Sequence, residues 1–173
     1  NHNNGTYTAT ISNTVAESVV ISGNISTAAI TDTTDITFTP GLASATTTIL
    51  SASPAILRGN GADTSVITIQ AIDTNGNLLL LGGDTLILSG DNSTSISSVT
   101  DHNNGTYSAI ATNSNVETTT IAGTINSQEI TSKTSISFIA YGVAQINDSD
   151  GQFIKGTAPP GTTITVLDSE GLI

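Results

Sequence analysis

Apolar and polar residues alternate along much of the chain with a period of two. This alternation is typical of half-buried β-strands, whose side chains point in turn to the two faces of a sheet. The runs are rich in Val, Ile and Thr, and no long run shows the 3.6-residue period of a helix. The pattern predicts an all-β fold with these inward faces: Ile67, Ile69 and Ala71; Leu86 and Leu88; Tyr107, Ala109 and Ala111; Ile121, Gly123 and Ile125; Ile136 and Phe138.

Short turn sequences separate these predicted strands. Asn-Gly pairs such as Asn60-Gly61 and Asn104-Gly105 supply the positive φ values that tight hairpins need. Short strands at this spacing predict a two-sheet β-sandwich. Leu78 to Leu81 is the longest aliphatic run, and we expect it to belong to a buried strand.

The sequence also repeats itself at a spacing of 100 residues, without insertion or deletion over nearly forty positions. Asn1 to Tyr7 aligns with Asp101 to Tyr107, and the match continues to Phe38 and Phe138. A unit of this length is a whole domain rather than one turn of a solenoid. The prediction is therefore a tandem array of β-sandwich domains: the C-terminal half of a unit at 1–38, a complete unit at 39–139, and the start of a different subtype at 140–173.

The residues Gly105 to Ala109 resemble the strand-F signature of immunoglobulin domains, in which a corner Tyr precedes a core Cys by two residues. We expect Tyr107 to be buried with its hydroxyl bonded to nearby backbone, and Tyr7 to do the same in the first copy. The equivalent residues His2 and His102 are expected to cap the turns beside these tyrosines.

Composition excludes several classes of function. Fourteen acidic residues against three basic ones give a net charge of −11, which opposes binding to nucleic acid or to an anionic membrane. The chain has no Cys, and no apolar run is long enough to span a membrane. No Ser-His-Asp set or facing pair of carboxylates is evident. We therefore predict a protein that is not an enzyme, does not bind nucleic acid and does not insert into a membrane.

Two oxygen-rich segments are candidates for metal binding. Asp73 to Asn77 and Asn147 to Asp150 carry oxygen donors at alternate positions, as calcium prefers, although neither completes an EF-hand loop. For Asp73 to Asn77 the alternative is a plain hairpin turn. The candidate metal ligands are Asp148 and Asp150, at the predicted domain junction, with calcium as the candidate ion.

Several motifs together resemble the bacterial immunoglobulin-like repeats of the invasin/intimin type, found in large bacterial surface adhesins. They are Ser51-Ala52-Ser53-Pro54, Gly61-Ala62-Asp63-Thr64-Ser65, Asp73 to Asn77, Gly83-Asp84-Thr85, and Thr100-Asp101 through Tyr107. From about Asp148 the tail resembles the opening strands of a second bacterial immunoglobulin-like subtype.

This resemblance implies tandem immunoglobulin-like β-sandwich domains in an extracellular stalk at a bacterial cell surface. The implied partners are neighbouring repeats, other copies in a filament, and host or surface ligands bound through a distal region. The alternative is a carbohydrate-binding or accessory module of a secreted enzyme. Three Tyr and three Phe are few for a glycan platform, which disfavours that alternative.

Overall fold

A computed structural model of the chain describes residues 2–140 and, as backbone strands alone, residues 145–149 and 154–157. These residues contain no helix that could cross a membrane. The described strands are β1 (Ser18–Ile21), β2 (Asn24–Ile25), β3 (Ala28–Ala29), β4 (Thr34–Thr37), β5 (Ile49–Ser53), β6 (Ile56–Arg58), β7 (Ser65–Gln70), β8 (Leu86–Gly90), β9 (Ser95–Ile96), β10 (Thr100–Asp101), β11 (Thr106–Thr112), β12 (Glu117–Ile125), β13 (Gln128–Glu129), β14 (Thr134–Ile139), β15 (Gln145–Ser149) and β16 (Ile154–Thr157).

Strands β5 to β14 form two five-stranded sheets. The first sheet has the order β10-β11-β7-β5, and β9 also pairs with β11; the second has the order β13-β12-β14-β6, and β8 pairs with β12. All these pairings are antiparallel except that of β6 with β14. The two sheets enclose one apolar core, which confirms the predicted all-β immunoglobulin-like sandwich.

Alternation along the strands determines which side chains enter the core. On β7, Ile67 and Ile69 are fully buried. Val66 lies on the opposite face of the strand and is 44% exposed. Leu86 and Leu88 are partly buried against the same cluster. The predicted inward faces are therefore confirmed, and the buried core cluster is Leu50, Leu57, Ile67, Ile69, Ala71, Tyr107, Ala111, Ile121, Ile125, Ile130, Ile136 and Phe138.

Tyr107 is buried as predicted, but its strand was misassigned. The residue is 1% exposed. The Asp84 amide donates to its hydroxyl (3.1 Å), and the hydroxyl donates to Asp84 Oδ2 (3.1 Å). Burial raises the pKa of Tyr107. However, β11 lies in the sheet that contains β5 and β7, which is the place of strand E; strand F belongs to the opposite sheet.

Residues 2–38 form the same strand pairs as the C-terminal part of the sandwich. Ile21 pairs with Thr34 on β1 and β4, just as Ile121 pairs with Thr134 on β12 and β14. The short hairpin of β2 and β3 likewise matches the pairing of β12 with β13. These pairings join residues close together in sequence, so they do not require the rest of a sandwich.

Burial differs sharply between the two copies. Tyr7 is 75% exposed and Ile25 is 72% exposed, whereas Tyr107 and Ile125 are each 1% exposed. The prediction that Tyr7 is buried is therefore wrong. The physical reason is that no described strand stands beside Tyr7 in the way that β7 pairs with β11.

The Leu78 to Leu81 segment is not a buried strand, contrary to the sequence prediction. Leu78, Leu80 and Leu81 are 53%, 68% and 76% exposed. Leu79 alone packs against the core, and its amide donates to the Ala71 carbonyl (3.0 Å). Leu78 forms only an isolated bridge with Ile72, so the segment is a loop in which Leu79 is the one side chain that reaches the core.

The turn that precedes Tyr107 has the same local geometry in both copies. Asn103 and Gly105 have positive φ values of 57° and 78°, and their equivalents Asn3 and Gly5 have 56° and 86°. A Cβ at Gly105 would lie 2.0 Å from the Leu79 carbonyl oxygen, so a side chain is excluded there. The two histidines lie in these turns as expected, each with its Nε2 near a strand hydroxyl, at 2.9 Å for His102 and 3.1 Å for His2.

We predict that the two equivalent tyrosines differ strongly in their effect on stability. Tyr107→Phe should cost about 1 kcal/mol, the usual net value of one hydrogen bond. Tyr107→Ala should cost roughly 3 to 5 kcal/mol, as for other buried aromatic truncations. Tyr7→Ala is the matched control and should leave the main unfolding transition unchanged. Denaturant unfolding measures all three, and equal losses at both tyrosines would contradict the burial difference.

Candidate functional site: the Asp73 to Asn77 loop

The Asp73 to Asn77 loop surrounds a buried carboxylate. Asp73 is 1% exposed. Its Oδ1 accepts bonds from the amides of Asn75 (2.8 Å) and Asn77 (2.9 Å). Its Oδ2 accepts bonds from the Gly41 amide (2.8 Å) and the Asn77 side-chain amide (2.9 Å). The carboxylate therefore connects its own loop to Gly41, which precedes the first strand of the complete unit.

These neutral donors stabilise the charged form of Asp73. The Asn77 side chain, followed by the Gly41 amide, lowers the pKa of Asp73 from 3.8 to about 2. The hairpin-turn alternative fits the backbone, because the Asp73 amide donates to the Asn77 carbonyl (2.9 Å). Among the residues that the structure describes, no group of three His, Asp or Glu side chains could hold a metal ion.

Asn77 joins the sandwich to the segment of residues 2–38. Its Nδ2 donates to the Thr14 carbonyl (2.8 Å), and its Oδ1 accepts from the Ala16 amide (2.9 Å). The second Nδ2 hydrogen goes to Asp73, so both amide hydrogens of Asn77 are used. Asp73 thus orients the side chain that makes the contact between units.

The partner of Asn77 is a well-formed turn at residues 13–17. Asn13 Oδ1 accepts from the Val15 amide (3.0 Å), and Asn13 Nδ2 donates to Glu17 Oε1 (2.8 Å). Glu17 also accepts a bond from the Phe38 amide through its carbonyl (2.8 Å). These bonds tie the turn to the small sheet of the half unit, so its carbonyl and amide are presented in a fixed geometry.

Sequence reasoning singled out Asp73 to Asn77 but assigned the loop no role between units. Thr14 and Ala16 were missed altogether. Both contribute backbone atoms to the contact, and backbone atoms leave no signature in the sequence. The available signal was the polar Asp-x-x-x-Asn spacing, which fits a cation loop equally well.

The other candidate metal ligands fall near the limit of the described structure. Asp148 lies on β15, paired in register with Lys155 on β16. Asp150 lies outside the described residues. Calcium binding by Asp148 and Asp150 therefore stays a prediction.

We predict that Asp73→Asn weakens the junction and changes the acid sensitivity of the chain. Because the folded-state pKa is lowered, Asp73 stabilises the fold above its ordinary pKa of 3.8, and this stability is lost as the pH falls towards about 2. Asp73→Asn should flatten the decline in melting temperature over that window.

The matched control for this experiment is Asp63→Asn. Asp63 also has a pKa of about 2, but it is lowered by Arg58, which bonds it within the same unit (2.7 Å). Both variants should flatten the acid decline, whereas Asp73→Asn alone should alter the relative orientation of the units in residual dipolar couplings. An unchanged orientation in Asp73→Asn would show that the loop does not control the junction.

Three solved structures resemble the chain in fold. Invasin, a bacterial integrin-binding protein, matches 92% of this chain and 34% of its own, with 20% identity and a TM-score of 0.54. The adhesin InvE of Yersinia pseudotuberculosis matches 62% and 31%, with 22% identity and a TM-score of 0.52. The Escherichia coli adhesin FdeC matches 76% and 43%, with 19% identity and a TM-score of 0.54. The chain spans less than half of each of these structures, and the likeness is one of fold.

No curated protein matches the chain in sequence. A family model described as invasin, domain 3, matches residues 44–141, which is more than half of the 173 residues. This range contains both sheets of the sandwich and the Asp73 to Asn77 loop. The chain therefore belongs to the invasin domain 3 family.

Proposed function

We propose that the chain is a non-catalytic stalk segment of a secreted bacterial surface adhesin. In this proposal residues 1–38 are the C-terminal half of one immunoglobulin-like unit, residues 39–139 are a complete unit, and residues 140–173 begin another subtype. The observation that carries the proposal is the contact of Asn77 with Thr14 and Ala16, because it joins consecutive units by a specific geometry.

The mechanism is mechanical reach. Each unit is a self-contained sandwich, and the anchored Asn77 restricts how one unit can turn on the next. A series of such units holds a distal binding region away from the cell surface, and that region contacts the host or surface ligand. The family match to invasin domain 3 and the fold likeness to three adhesins support a place in a surface adhesin.

The proposal predicts that the unit contributes length rather than ligand binding. The experiment deletes residues 40–139 from the protein in its producing cell. This removes one 100-residue repeat, so the flanking sequences stay in register with each other. The distance from the membrane to a label on the distal end should fall by about 3 to 4 nm, the size of a 100-residue domain. Super-resolution imaging of the labelled end measures this change.

The control for that deletion replaces residues 40–139 with an unrelated immunoglobulin-like domain of the same length. This chain should restore both the distance and the adhesion of the cells. If adhesion stays lost although the distance is restored, the unit binds the ligand itself and the stalk function is wrong. Specific binding of the isolated chain to a glycan array would instead favour an accessory carbohydrate-binding module.

We also propose that Asp148 and Asp150 bind calcium at the junction that follows the complete unit. Two carboxylates close in sequence repel each other unless a cation neutralises them. Calcium should therefore raise the melting temperature of the full chain, and a chelator should reverse the effect. The double variant Asp148→Asn, Asp150→Asn should not respond. If calcium changes neither the melting temperature nor the solution scattering of the wild-type chain, the calcium site is wrong.

A further inference from the structure

The segment of residues 2–38 has an apolar face that matches one side of the sandwich core. In residues 101–139 the buried apolar residues are Tyr107, Ala109, Ala111, Ile121, Ile125, Ile130, Ile136 and Phe138. Their equivalents at a spacing of 100 residues differ only at position 11, and they are Tyr7, Ala9, Ile11, Ile21, Ile25, Ile30, Ile36 and Phe38. Four of these equivalents are between 42% and 75% exposed: Tyr7, Ile11, Ile25 and Ile30. The segment therefore carries core side chains that nothing within residues 2–140 covers.

The structure shows which strands enclose the equivalent residues in the sandwich. Strands β7 and β9 pair with β11, β8 pairs with β12, and β6 pairs with β14. Residues 2–38 already contain the pairs β1 with β4 and β2 with β3, in the same register as their equivalents in the sandwich. Residues 6–12, equivalent to β11, have no neighbouring strand in the described structure and form no strand themselves.

We propose that the apolar face of residues 2–38 is a docking surface for a second set of strands of the β5 to β9 type, and that Ile11 and Val19 determine which set fits best. The proposal rests on the assignment of residues 1–38 as half of a repeat unit. It deepens that assignment by naming the features that the other half must have.

Ile11 limits the size of the residues that can pack beside it. Its equivalent Ala111 is fully buried, and it lies opposite Ser65 on β7 and Ile96 on β9. Side chains directly opposite each other on antiparallel strands have Cβ atoms about 4.5 to 5.5 Å apart. The larger Ile11 side chain would overpack the same site, unless the residue in the place of Ile96 were smaller.

Val19 changes the hydrogen bonding at the edge of the face. Its equivalent Thr119 is fully buried and donates its hydroxyl to Asp91 Oδ1 (2.7 Å). Valine has nearly the same shape as threonine but no donor. A set of strands with an aspartate in the place of Asp91 therefore gains less from Val19 than from Thr119.

The experiment fuses a copy of residues 40–100 directly before Asn1 of the full chain. Residue 100 of the copy then precedes Asn1 as Thr100 precedes Asp101, so the repeat register is kept. Hydrogen–deuterium exchange with mass spectrometry compares residues 6–12 in the natural and extended chains. Exchange at these amides should be rapid in the natural chain and slow in the extended chain. A copy that carries Ile67→Asp and Ile69→Asp cannot fill a core, and it should leave the exchange rapid.

The choice of partner is tested by making one substitution in each copy of the strands. Ile96→Ala in the added copy should raise the melting temperature of the unit that contains Ile11, by about 4 to 8 °C. The same substitution in the natural unit should lower the melting temperature of that unit, because Ile96 packs there against Ala111. The temperature at which residues 6–12 or 106–112 lose protection from exchange identifies the unit that melts.

Val19→Thr should also raise the melting temperature of the new unit, and this gain should disappear when the added copy carries Asp91→Ala. Thr10→Ile is the matched control, because its equivalent Ile110 points outwards and is 46% exposed. That variant should leave both melting temperatures unchanged.

The possible results separate this proposal from the stalk function. Rapid exchange at residues 6–12 with both the unmodified copy and the Ile96→Ala copy overturns the docking surface. Slow exchange in the extended chain, with Ile96→Ala lowering both melting temperatures equally, overturns the choice of partner by Ile11. A Val19→Thr gain that persists with Asp91→Ala overturns the role of Val19. None of these results alters the distance from the membrane on which the stalk function depends.

Discussion

Covering one sheet with another is the constraint on which this structure depends. The two copies of the repeat show it within one chain: Ile125 is 1% exposed beneath the opposite sheet, whereas Ile25, in the same local hairpin, is 72% exposed. Turns and neighbouring strand pairs form in both copies because their bonds are local. Burial requires strands from residues 49–90 that are distant in sequence. The sandwich, and not the hairpin, is therefore the stable unit of the fold.

The scarcity of cations determines how the acidic side chains are accommodated. Three basic residues cannot neutralise fourteen acidic ones, and several of the described carboxylates accept hydrogen bonds from neutral donors instead. Asp73 accepts four N–H groups, and Asp91 accepts bonds from Thr119 and Thr120 that lower its pKa. An Asn-rich chain supplies such donors readily. This explains why an oxygen-rich loop that resembles a cation site can instead serve as a junction, with its carboxylate already satisfied.

Period-two patterning was sufficient to predict the inward faces of the strands, because burial alternates along β7, β11, β12 and β14. It failed at Leu78 to Leu81, where composition suggested burial but the segment runs along the outside of the core. The burial of Tyr107 could be predicted from its motif, but its sheet could not, since alternation along a strand does not identify the sheet to which the strand belongs. The contact of Asn77 with Thr14 and Ala16 could not be predicted, because its acceptor and donor are backbone atoms.

The sandwich core and the Asn77 contact differ in stability. This difference determines which of them we expect to yield first under tension. Two hydrogen bonds to Asn77 contribute about 2 kcal/mol by the usual net value. A folded domain is stable by about 5 to 15 kcal/mol. We therefore expect the Asn77 contact to open under tension before the sandwich unfolds. In the proposed stalk, such junctions would let the chain extend at its joints while its units stay folded.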